Sequence, residues 1–266
     1  RTERFRNQAA QPALGLPAVT MLNPALFNTS SLVYFTRADS SSNYNSLQAQ
    51  FQRRLASGLQ LLASYTWSKS LDSVSDETSE SLPANGFPGV NRGPANDYGP
   101  SSFDIRQQLT ASVSYSLPAL DRYITKGWGL DAFWRSRTGL PVNIISTTVD
   151  LFNVGSNRRV DLVSGEPVYL SDPNVASGTR LNRDAFKVPA AATQGSLGRN
   201  AIRTAGFQQI DLAIRRDFQV RESLRLQFRG ELFNLANHPN FGPYNNSYSP
   251  TDALFGTIQT TYNRYL

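Results

Sequence analysis

The stretch from Tyr44 to Ser68 constrains this chain most. In Tyr44-Asn-Ser-Leu-Gln-Ala-Gln-Phe-Gln-Arg-Arg-Leu55, Leu47, Ala49, Phe51 and Leu55 share one parity, while Ser46, Gln48, Gln50, Gln52 and Arg54 share the other. A period of two marks a strand with one apolar and one polar face. After the connection Ala56-Ser57-Gly58 the alternation resumes, with Leu59, Leu61, Ala63, Tyr65 and Trp67 against Gln60, Ser64, Thr66 and Ser68. Two such arms around a short Gly-containing link predict a hairpin. Arms of this length, over 44–55 and 59–68, exceed the ~5–6 residues of an ordinary strand and match the ~9–11 that a tilted strand needs to cross a bilayer.

The same alternation recurs over 103–117, 127–138, 207–219 and 224–235. In the first, Phe103, Ile105, Leu109, Ala111, Val113, Tyr115 and Leu117 oppose Asp104, Arg106, Gln108 and Thr110, with Gln107 the exception on the apolar side. Trp128, Leu130, Ala132 and Trp134 then oppose Asp131, Arg135 and Arg137. The last two strands set Ile210, Leu212, Ile214 and Phe218 against Gln209, Asp211, Arg215 and Asp217, and Leu224, Leu226, Phe228 and Leu232 against Arg225, Gln227, Arg229 and Glu231. A weaker candidate lies near 255–261.

The connections follow an order. Those at 56–58, 118–127 and 220–223 are short, and those at 69–102, 146–206 and from 236 onward are long. In an up-and-down meander this alternation puts every short turn at one end, as in an outer-membrane barrel with short periplasmic turns and long extracellular loops. The fold class expected is therefore all-β: an antiparallel up-and-down meander forming part of an outer-membrane β-barrel wall. Residues 1–43 read as loop, 44–235 as barrel strands, and 236–266 as loop with the start of a further strand, all in one partial barrel domain. Tyr115, Trp128 and Phe218 fall beside the short turns, and Tyr65, Trp67 and Phe103 beside the long loops. These six are expected to form two interfacial girdles.

Composition agrees with that reading. Charged residues make up 17% of the chain, below the ~25% usual for soluble domains. No apolar run is long enough for a spanning helix, a fact that says nothing about a barrel. Cysteine is absent, which removes disulfides, thiol nucleophiles and cysteine metal sites. The net charge of +6 is spread along the chain instead of clustering on one face, so nucleic acid is not an expected partner. It arises from 23 arginines and 3 lysines against 20 acids, and arginine suits donors held in a polar, half-buried lumen.

Chemistry-bearing groups are sparse. His238 is the one histidine, so a histidine-based triad is excluded. The acidic run Asp72, Asp76, Glu77 and Glu80 lacks the spacing of a calcium loop and reads as a solvated loop. On the polar parity, Asp104, Arg106, Asp131, Arg135, Asp211, Arg215, Arg225, Arg229 and Glu231 are expected to face a lumen as a cross-strand ladder of charges. Arginines two residues from these carboxylates favour ionised pairs over a raised-pKa acid. No enzymatic activity, catalytic residue, cofactor or metal is expected.

Five segments carry a resemblance to a known family: Ser42-Asn-Tyr-Asn-Ser-Leu47, Ala63-Ser-Tyr-Thr-Trp-Ser-Lys-Ser70, Phe103-Asp-Ile-Arg106, Ser136-Arg-Thr-Gly-Leu-Pro141 and Phe228-Arg-Gly-Glu-Leu-Phe-Asn-Leu-Ala-Asn-His-Pro-Asn-Phe241. In this order the chain resembles the C-terminal barrel of the Oar-like TonB-dependent transporters. The resemblance implies a barrel of about 22 strands in the outer membrane, surrounded by lipid, with an N-terminal plug, a TonB box and often a carboxypeptidase-regulatory-like domain. It implies energised uptake of a scarce solute, with the plug and the TonB complex as partners. No plug, TonB box or closing strand is seen in this sequence, so the chain is expected to be an internal part of such a barrel with open sheet edges. The rival reading is a secreted, soluble β-sandwich that binds carbohydrate or protein, since alternation also fits a sheet with one face on a core. A sandwich would have to bury Phe51, Trp67, Val113, Trp134 and Phe228 together.

Overall fold

A computed structural model describes residues 2–6, 32–36, 40–75, 98–118, 126–146, 159–190, 195–258 and 260–261. Its main element is a seven-stranded antiparallel sheet. Six strands follow one another as a meander: β1 (Ser42–Ala56), β2 (Leu59–Asp72), β3 (Gln107–Ser116), β4 (Trp128–Arg137), β5 (Phe207–Arg221) and β6 (Leu224–Leu232). The two-residue strand Gly99–Pro100 pairs with the end of β2. All six predicted strands are present, and their connectivity is the one the alternation of short and long links requires. Strand β3 begins four residues later than its periodicity suggested, at Gln107 instead of Phe103, because residues 101–106 form a turn.

The turns have local causes. Ser57 and Gly58 have φ values of 52° and 79°, the left-handed pair that a two-residue hairpin turn of matching twist demands. Only glycine fits the second position, since a Cβ on Gly58 would lie 2.4 Å from the carbonyl oxygen of Ser116. That close approach serves the ladder, for Ser116 N donates to Gly58 O at 2.7 Å.

Directly opposed residues of an antiparallel pair share a face, so the register defines both faces of the wall. Leu47 opposes Trp67, Tyr65 opposes Leu109, Val113 opposes Ala132, Ala132 opposes Leu212, and Leu212 opposes Leu232. One continuous apolar face thus crosses all six strands. Among the described residues no second layer packs on it: Phe51 is 59%, Trp67 57% and Phe228 61% exposed, and Leu47, Leu130 and Trp134 are exposed as well. A sandwich buries such residues between two layers; here the described residues set them on one side of a single layer, which leaves the soluble reading less supported.

The hydrophobic core lies elsewhere, in segments expected to be irregular. Val142, Ile144, Val160, Leu181, Phe186, Leu197, Ile202, Tyr244, Tyr248 and Phe255 form a buried cluster drawn from residues 139–206 and 236–261. Phe255 packs edge-on against Phe186 at 5.6 Å and Tyr248 at 5.1 Å between ring centroids, and Tyr248 Oη donates to Phe186 O at 2.6 Å. Short paired segments frame this cap, among them Tyr169–Ser171 with Thr179–Leu181 and Pro141–Val142 with Ile202–Arg203. The candidate strand near 255–261 is reduced to single bridges from Tyr244 to Ile258 and from Phe241 to Thr261. The stretch 1–43, read as loop, contains an antiparallel pair of strands, Thr2–Arg6 and Leu32–Thr36. Of the acidic run, Asp76, Glu77 and Glu80 lie outside the described residues.

Candidate functional site

The face opposite the apolar one carries the charge. Arg215 lies directly opposite Gly129 and Asp131 opposite Ala213, so the guanidinium of Arg215 must cross diagonally between strands to reach the carboxylate. It does so through the space above Gly129, where a Cβ would sit 2.8 Å from the guanidinium. There Arg215 binds Asp131 and donates to Ser114 Oγ and Ser116 Oγ, both at 3.2 Å. Arg229 reaches the same carboxylate across the one intervening strand, β5, at 3.1 Å, and bonds Glu231 within its own strand at 2.7 Å. Ala213, between them and buried, is small enough to allow the second crossing.

Further toward the long loops, Arg135 stands 3.8 Å from Asp211. Asp211 also accepts from Gln209 Nε2 at 2.8 Å and from the backbone N of Asn234 at 2.9 Å. Toward the short turns, Arg225 donates to the amide oxygen of Gln219 at 3.0 Å, and Asp217 accepts from Gln227 at 2.8 Å. Of the nine charges expected on this face, Asp131, Arg135, Asp211, Arg215, Arg225, Arg229 and Glu231 are on it. A shallow hollow of about 410 Å³ opens among them, lined by Gln60, Ser114, Phe133 and Phe233 as well as Asp131, Arg229 and Glu231.

Asp104 departs from the sequence reading: it lies in the turn before β3, buried among the strand ends instead of standing open on the polar face. The carbonyl of Arg106, next to the start of β3, accepts from Ser68 N at 3.0 Å. Asp104 is 1% exposed. It accepts from Ser70 N at 2.6 Å, pairs with Arg106 Nε at 2.8 Å and binds the guanidinium of Arg203. Arg203 also donates to the carbonyls of Asp104 and Gly139, both at 3.0 Å. Beside this knot, Arg199 binds the carboxylate of Asp72 and donates to Asp72 O at 2.7 Å, while Ser75 Oγ caps the same carboxylate at 2.7 Å. Asn200 Nδ2 reaches Pro100 O at 2.9 Å. The result is a buried polar clamp that ties residues 199–204 of the cap to the loop ends of β2, β3 and β4. Asp72 belongs to it, and is not part of a solvated acidic loop. Nothing in the sequence period marks Arg199 or Arg203.

Within the cap, Tyr169 Oη donates to Arg203 O and accepts from Arg203 N, both at 3.0 Å. Burial pushes the pKa of this phenol up, against the lowering effect of the backbone contact. Burial likewise raises that of Tyr248, with Arg183 opposing. Among the described residues no cluster of His, Cys, Asp or Glu suited to a metal occurs. His238 sits in a loop where its N–H and carbonyl bond the side chain of Asn234 at 3.1 Å.

On the apolar face, Tyr65, Trp67, Tyr115, Trp128 and Phe218 occupy strand positions, and Phe103 is exposed in the turn before β3. Four cations on this face escaped the sequence reading, Lys69 opposite Asn45 and Arg221 opposite Leu224 among them. Arg216 opposes Trp128 and Phe228, and Arg53 opposes Leu61, so both stand on the apolar face. Their parity, between Ile214 and Phe218 and after Phe51, was the signal.

A single antiparallel layer with an unpacked apolar face, a charge-laced polar face, short turns at one end and a folded loop cap at the other defines an outer-membrane β-barrel wall. The chain belongs to the outer membrane beta barrel domain family, whose family model matches residues 2–265. No curated protein and no solved structure matches the chain. The family places the protein in the outer membrane, with lipid around its wall.

Proposed function

We propose that this wall belongs to an Oar-like TonB-dependent transporter that takes up a scarce solute with energy delivered from the inner membrane. The observation that carries the reading is the cap. The described residues of 139–206 and 236–261 fold on their own core and are clamped to the strand ends by Asp72–Arg199 and Asp104–Arg203, which suits a receptor that holds its loops in place to recognise a solute. The five sequence segments resembling that family support it. The polar face is the lumen wall, and its Asp131–Arg215–Arg229–Glu231 network stiffens it and offers paired charges to a plug. No residue in it acts as a catalyst, since each carboxylate is already held by a guanidinium.

The wall is wider than six strands. Among the described residues, β1 and β6 each pair with one neighbour only and not with each other. In lipid each unpaired backbone group costs several kcal/mol, so further strands complete the barrel. The test compares cells with and without the protein by the solutes they deplete from a minimal medium, in the presence and absence of a protonophore. Uptake that needs both the protein and the proton gradient supports energised transport. Uptake that needs the protein and ignores the protonophore would make it a passive pore.

A further inference from the structure

We propose that the short-turn border of the apolar face binds the phosphate of an anionic phospholipid, and that Arg216 is the cation that receives it. The proposal rests on that face being the lipid-facing one. Arg216 lies between Trp128 of β4 and Phe228 of β6 in the register. Its guanidinium carbon is 5.1 Å from the ring centroid of Trp128 and 4.8 Å from that of Phe218. Two aromatic rings thus hold a positive charge at a fixed place on an apolar surface, an arrangement that strengthens as water is withdrawn.

The depth is that of headgroups. Asp217 N donates to Gly127 O at 2.9 Å, so Arg216 is level with the turn that opens β4 and far from the middle of the wall. An arginine on the lipid face is tolerated near the interface and heavily penalised at the midplane, and tryptophan prefers the same level. The six strands place no Asp or Glu on this face, whereas Arg53 joins Arg216 on it toward the short turns. The adjoining carboxylate, Asp217, points to the other face, where Gln227 bonds it at 2.8 Å. On the strands, this face therefore presents positive charge toward the border. A planar guanidinium offers two parallel N–H donors to two phosphate oxygens, while Trp128 and Phe228 lie against the first methylenes of the acyl chains.

The experiment reads Trp128 fluorescence in reconstituted vesicles, with Trp67 and Trp134 replaced by Phe and any tryptophans outside this wall replaced likewise. Brominated phosphatidylglycerol and brominated phosphatidylcholine serve as quenchers. The expected result is quenching by both, with an apparent preference of about fivefold for phosphatidylglycerol, the effect of one cation at a membrane surface. Arg216→Gln should bring the preference close to one, and Arg216→Lys should keep most of it. Equal quenching by the two lipids, or a preference that survives Arg216→Gln, would overturn the headgroup site and leave the lipid-facing assignment standing. Absence of quenching by either lipid would overturn both.

Discussion

At the scale of single residues, the wall distinguishes glycines that make a turn from glycines that make room. Gly58 combines a φ of 79° with a carbonyl 2.4 Å from where a Cβ would be, so Gly58→Ala should destabilise the β1–β2 hairpin by roughly 1–3 kcal/mol. The added methyl of Gly129→Ala meets only the mobile end of Arg215. It should displace that guanidinium from Asp131 and cost less than about 1 kcal/mol, the worth of a cross-strand pair. Urea midpoints of the folded protein in detergent would separate the two. The clamp is a harsher test. Arg199 and Asp72 side chains are each 4% exposed, and Arg199→Ala leaves a buried carboxylate without its main partner, at a cost of about 3–5 kcal/mol. Tyr169 supplies a pH dependence. Its folded pKa is raised, so its contribution is complete below the ~10 of an exposed tyrosine and is lost as pH rises through the folded value. Phenolate absorbance should show alkaline-shifted tyrosines, Tyr169 and Tyr248 among them, and one of these should disappear in Tyr169→Phe.

At the scale of elements, the two faces of the wall should respond oppositely to one substitution. Leu212→Arg, on the apolar face, should cost roughly 2–4 kcal/mol if β5 crosses the membrane there, while Gln108→Arg on the polar face should cost much less. Refolding into lipid vesicles measures both. The strands that make this test possible were legible because a half-exposed strand writes its two faces into alternate residues. The same rule misled at Asp104, where parity was carried through a turn, and it hid Arg216 and Arg53, which were passed over between apolar neighbours. The cap was illegible for a different reason. Its core joins Val142, Leu181, Phe186 and Phe255 through pairings of two or three residues, too short to establish any period. The clamp joins positions such as Asp72 and Arg199, 127 residues apart, and such contacts leave no local trace.

At the scale of the whole molecule, β1 and β6 present open edges among the described residues, and an exposed edge in water templates further pairing. The chain expressed alone should aggregate in water and conduct nothing in planar bilayers; a stable single-channel conductance would show that these strands close by themselves. The separation of the core from the wall has a thermal consequence. The cap buries its aromatic cluster away from water, so its melting should carry the positive heat-capacity increment of apolar hydration. The wall's apolar face stays in lipid or detergent before and after the cap opens, and contributes little to that increment. Calorimetry in detergent should then resolve an early endotherm with a step in baseline, belonging to the cap, and a later one without it. A barrel wall built this way can lose its folded cap on warming while its strands remain in the membrane, and can regain it on cooling without being inserted again.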